Sequence, residues 1–114
     1  MRAARLIAAL AAFACIAAPA SADTLESLFG NTLTVSYPSG NIERFYFDAD
    51  GGFTMVMQGA EIPARWAREG EAVCILMQGA PPQCSEFPAG KAVGDSWEAE
   101  GPNGAVRYEI SAGR

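Results

Sequence analysis

Residues that force or favour a chain reversal recur along this 114-residue chain at intervals too short for ordinary helices. They group as Pro38-Ser39-Gly40-Asn41, Asp48-Ala49-Asp50-Gly51-Gly52, residues 59–63, Glu69-Gly70, residues 79–82, residues 88–91 and Gly101-Pro102-Asn103-Gly104. These breaks delimit eight runs, each of about five to eight residues, a length that suits strands. Alternation supports the assignment. Leu33, Val35 and Tyr37 share one face of the first run, Phe53, Met55 and Met57 one face of the third, and Val73, Ile75 and Met77 repeat the pattern. Val106, Tyr108 and Ile110 stand opposite Arg107 and Glu109 in the last run. The run IERFYF is less regular, because Phe45 and Phe47 fall on the face that also carries Glu43. Residues 83–87 form the weakest strand candidate.

Strands this short and this evenly spaced predict an all-β fold, a small antiparallel up-and-down meander of about eight short strands closing into a barrel, since closure removes exposed edges. One short helical turn over residues 23–30 precedes it. Asp23 or Thr24 is the candidate cap, Leu25, Leu28 and Phe29 lie on one side, and Gly30 ends the turn. Its expected role is to plug one end of the curled sheet. A barrel of eight strands is just wide enough to be filled by its own side chains or to hold one small ligand. The inward candidates are Leu33, Val35, Tyr37, Phe45, Phe47, Phe53, Met55, Met57, Trp66, Val73, Ile75, Met77, Val106, Tyr108 and Ile110.

The first residues are of a different kind. Arg2 and Arg5 precede an apolar run over residues 6–18, and Pro19 then leads into Ala20-Ser21-Ala22, the layout of a secretory signal peptide. The run of 13 residues is shorter than the ~20 a membrane-crossing helix needs, so no stable membrane anchor is expected. The reading divides the chain into a signal peptide, residues 1–22, and a single β-barrel domain, residues 23–114, periplasmic or secreted after cleavage following Ala22. Cys15 is read as an apolar residue of the leader rather than a lipid-bearing one, because the residues before it lack the expected pattern.

Export makes the cysteines informative. Cys74 and Cys84 remain in the mature chain, and Gly79 midway between them sets them opposite each other across a hairpin. The expected outcome is a disulfide that staples two strands. A zinc site needs further ligands, and the chain has no histidine. A redox pair more typically reads C-x-x-C.

Without Arg2 and Arg5, 6 basic residues face 13 acidic ones, a net charge of −7. Nucleic acid is therefore excluded as an expected partner, and a basic protein or a cation is attracted instead. Catalytic signatures are scarce. No Ser-His or Cys-His system exists without histidine, and the sole lysine, Lys91, lies in a predicted turn. Glu69 with Glu71, or Glu98 with Glu100, is the nearest approach to a paired-carboxylate hydrolase. No cofactor is implied.

Three clusters merit a site reading beside a plain one. Asp48 and Asp50 have the spacing of the first two ligands of a calcium loop, but the glycine comes one position early and Gly59 stands where the bidentate glutamate belongs, which favours a plain turn. Trp66 with Arg65 and Arg68 is the candidate partner contact, against Trp66 as interior filler with Arg68 at the rim. Met55, Met57 and Met77 are candidate ligand-lining residues, against core filler. Trp97 reads as a half-buried strand aromatic.

The segment FYFDADGGF, then Trp66, then Gly70-Glu71-Ala72-Val73-Cys74 and Cys84, resembles a pattern found in small exported β-proteins of Gram-negative bacteria. The size, barrel and single disulfide are also similar to lipocalin-like barrels and to periplasmic inhibitor barrels. The expected function is a non-catalytic binding or inhibitor module that contacts a protein through its loops or its short amino-terminal segment. A carrier of a small apolar ligand inside the barrel is the alternative, and a small hydrolase the third reading.

Overall fold

A computed structural model describes residues 20–114, with side chains from Thr24 onward. Most of the expected leader, Cys15 included, lies outside the described residues. The elements are α1 (Ala20–Leu28), β1 (Thr32–Ser36), β2 (Ile42–Phe47), β3 (Gly52–Met57), β4 (Ala60–Glu69), β5 (Ala72–Leu76), β6 (Gln83–Glu86), β7 (Ser96–Gly101) and β8 (Gly104–Ser111). The fold is all-β, and every ladder between these strands is antiparallel.

The strand order is β6-β5-β4-β3-β2-β1-β8-β7. In a closed up-and-down barrel each strand pairs with the next and the last returns to the first. Here β8 does return to β1, with Val35 opposite Tyr108 and Leu33 opposite Ile110. The circle lacks a ladder at one place, between β6 and β7, which are the edges of the sheet. The expected meander is thus a curled sheet with one open seam. Both edges carry acidic side chains, Glu86 on β6 and Glu98 and Glu100 on β7, all exposed. Such charges discourage edge-to-edge pairing between molecules.

Turn chemistry sets the hairpins. Gln58 and Gly59 both take positive φ, 52° and 82°, between the paired residues Met57 and Ala60. That is a two-residue turn whose twist matches the flanking strands. The predicted break over residues 59–63 is therefore too long, because β4 begins at Ala60 and runs through Pro63. Proline survives in this strand because β5 pairs only from Arg65 onward, so the first half of β4 has a neighbour on the β3 side alone. Asp48 and Asp50 serve a turn. Gly51 donates to the Asp48 carbonyl at 3.0 Å, and Gly52 donates to Asp50 Oδ1 at 3.0 Å. Arg114 reaches back to pair with Asp48 at 2.7 Å and donates to the Phe47 carbonyl at 2.7 Å.

The helix plugs one end of the sheet, as expected, but it is anchored in another way. Leu25 and Leu28 are buried in the common core, and Phe29 stacks on Trp66 with ring centroids 5.9 Å apart. Thr24 is not the cap, because α1 starts at Ala20 and carries Thr24 in its interior. Its hydroxyl, 0 % exposed, donates to the Pro88 carbonyl and accepts from the Lys91 amide at 3.0 Å. One side chain thereby fastens the plug to the connection between β6 and β7. Thr24→Val keeps the shape, strands both backbone groups and lowers unfolding free energy by about 1 to 2 kcal/mol. Chemical denaturation measures it, and an unchanged midpoint would show that water replaces the hydroxyl.

Cys74 and Cys84 are bonded to each other and sit directly opposite in the β5–β6 ladder. Their neighbours Val73, Ile75, Gln83 and Ser85 line the interior, so alternation sets the disulfide on the outer face of the sheet. Cys74 is 2 % exposed there.

Candidate ligand cavity

The curl of the sheet forms a partly open cavity of about 340 Å³. That volume lies at the small end of ligand pockets, which span ~300 to 1,000 Å³. Its position follows from the alternation of the strands. β1 sends Val35 inward and Tyr37 follows it, β2 sends Glu43, Phe45 and Phe47, β3 sends Phe53 and Met55, and β5 sends Val73 and Ile75, with Met77 just beyond its end. Gln83 and Ser85 of β6, Phe87 after it, and Tyr108 of β8 complete the lining.

The two ends of this chamber differ. The plugged end, beneath α1, is aromatic and tightly packed. There Phe47 is 1 % exposed and meets the rings of Phe53, Trp66 and Phe87 at 5.0, 6.3 and 6.2 Å between centroids. The other end, by the turn at residues 37–41, holds Tyr37 and Glu43. Tyr37 donates its hydroxyl to Glu43 Oε1 at 2.9 Å. At the open seam Phe87, just after β6, meets Trp97 of β7 with ring centroids 6.2 Å apart, and Trp97 stacks on Tyr108 at 5.3 Å.

Burial pushes the Tyr37 phenol above its ordinary range, and the bond to the Glu43 carboxylate and that carboxylate's charge push it further. Burial raises Tyr108 as well. A phenol held neutral in the folded state and free to ionise in the unfolded one, near pH ~10, favours unfolding as alkali rises. Stability is therefore flat below that value and falls above it. Tyr37→Phe removes one of the two phenols and makes the alkaline decline shallower. Denaturant midpoints recorded across the alkaline range check this, and an equally steep decline in the variant contradicts it.

The residues singled out in the sequence distribute unevenly about the cavity. Met55 and Met77 line it, whereas Met57, opposite Glu43 in the β2–β3 ladder, is half-buried and does not. Arg65, Trp66 and Arg68 do not form one patch. Trp66 packs against the core beneath α1 and donates its indole N–H to the Asp48 carbonyl at 2.7 Å. Arg65 lies outward and donates to the Asp50 carbonyl at 3.2 Å, while Arg68 is exposed near the end of β4. Glu69, Glu71, Glu98 and Glu100 are exposed and absent from the lining, where Glu43 is the carboxylate. Glu43 and Gln83 were not singled out as site residues. The signal for Glu43 was its place on the same face as Phe45 and Phe47, which breaks the polar–apolar pattern.

Among the described residues no group of three or more His, Cys, Asp or Glu side chains is placed to hold a metal ion. No family model, no curated protein and no solved structure matches the chain.

Proposed function

We propose that this protein is a non-catalytic binding module that holds a small, largely apolar molecule inside its barrel, in an oxidising compartment outside the cytoplasm. The observation that carries this reading is the hollow interior. Side chains can fill an eight-stranded barrel completely, and a core selected only for stability leaves few voids. This interior keeps about 340 Å³ open, lined by aromatic and aliphatic side chains with a few polar groups, which is the composition of small-molecule sites. The plug gives the chamber a floor. The Cys74–Cys84 disulfide supports export, since such bonds persist where the medium is oxidising.

The geometry favours this over a protein partner grasped by the amino-terminal segment, because α1 spends its buried side chains on the core and on the connection beyond β6. A hydrolase is less favoured because the glutamate pairs lie outside the chamber.

Native mass spectrometry of freshly purified protein tests the proposal, together with titration by an apolar fluorophore. The expected results are retained extra mass and a dissociation constant in the range of ~1 to 10 µM. Met77→Trp narrows the chamber and weakens probe binding by about tenfold or more. Absence of bound mass together with absence of probe binding at saturating protein overturns the proposal.

A further inference from the structure

We infer that Glu43, beside Tyr37, is a headgroup site that selects cationic amphiphiles, so that an amine binds with its ammonium at the carboxylate and its apolar body along the barrel interior. This rests on the interior being a ligand cavity and specifies the class of ligand.

The first argument is the setting of the charge. Glu43 stands on the inward face of β2 directly opposite Val35 on one side and Met57 on the other. Its Oε1 accepts from the Tyr37 hydroxyl, and among the described residues no arginine or lysine forms an ion pair with it. A half-buried carboxylate between apolar neighbours breaks the apolar pattern of the inner face. Groups that break a local rule in this way are expected at functional sites.

Access is the second argument. A separate hollow of about 300 Å³ lies between the turn after Tyr37 and the turn at residues 102–104. It shares only Tyr37 and Glu43 with the interior cavity. The pair is thus the partition between an outer vestibule and the apolar chamber, where the polar end of a threaded amphiphile comes to rest.

Charge selects the sign of that end. Among the described residues no basic side chain lines either hollow, so a fatty-acid carboxylate would meet Glu43 with none of them to neutralise it. An ammonium is drawn by the carboxylate, by the aromatic rings of Tyr37, Phe45 and Tyr108 in the same lining, and by a chain of net charge −5.

Calorimetric titration of the purified protein with decylamine, decanol and decanoate at neutral pH and low salt tests this. Decylamine is expected to bind about tenfold more tightly than decanol, and decanoate more weakly than either. Glu43→Gln is expected to cost about tenfold for decylamine and to leave decanol within about twofold. Tyr37→Phe keeps the charge and releases the carboxylate, so amine binding is retained or strengthened, which guards against a Glu43 variant that fails to fold. Decanol or decanoate binding as tightly as decylamine overturns the headgroup assignment while leaving the cavity reading intact. So does a Glu43→Gln protein that binds the amine as before, or loss of amine binding in Tyr37→Phe. Failure of all three probes to bind overturns the cavity reading and this inference together.

Discussion

Phe47→Ala lowers the free energy of unfolding by about 3 to 5 kcal/mol, the range for an aromatic ring removed from a packed interior. Phe47 is 1 % exposed and sits where three parts of the chain converge, with ring contacts to Phe53 on β3, Trp66 on β4 and Phe87 beyond β6. Alanine at this position merges the space of the lost ring with the existing cavity, so the walls gain no relief by collapsing onto a filled centre. For a domain of this size the loss shifts the melting temperature down by at least about 12 °C. Phe45 gives the contrast. It faces the same chamber but is half-buried, and its truncation is expected to cost less than half as much. Thermal unfolding of the two variants checks the ranking, and equal losses would mean that the chamber floor is no better packed than its walls.

Opening the Cys74–Cys84 bond, by reduction or by the pair of substitutions Cys74→Ala and Cys84→Ser, is expected to cost about 2 to 3 kcal/mol on the chain-entropy account of a short closed loop. The effect is concentrated on β6. That strand has four residues, all exposed, and among the described residues its only ladder is to β5. Without the bond it is a short edge strand with one neighbour, and its amides should exchange first. Hydrogen exchange under reducing and oxidising conditions separates this local release from a general weakening. Uniform acceleration through β1, β2 and β3 would contradict it.

How far the sequence revealed this molecule depends on the range of the signal. Strand alternation and turn residues are local, and they suffice for the eight strands, for the inward rows at Leu33, Val35 and Tyr37 or at Val73, Ile75 and Met77, and for the plug of Leu25 and Leu28. The cysteine pair was legible because Gly79 sits midway between its members. Pro63 misled because a proline usually marks a break, and its tolerance depends on where β5 begins to pair, which is not a local property. The cap assignment of Thr24 failed for a similar reason, since its partners Pro88 and Lys91 are remote in sequence. Whether the interior is full or hollow depends on the curvature of the whole sheet and was not legible. Glu43 lay in between, visible as an irregularity in β2 but without meaning until the cavity gave it one.

The missing ladder between β6 and β7 bears on how the proposed ligand chamber would admit a guest. Widening a fully hydrogen-bonded barrel means rupturing a row of backbone bonds or distorting every strand at once. Here the circumference can lengthen by sliding Phe87 along Trp97, a ring contact that tolerates displacement, while the seven existing ladders keep their register. The joint behaves like a pleat let into a sleeve: the wall can ease around a bulkier occupant and draw in again around a slimmer one.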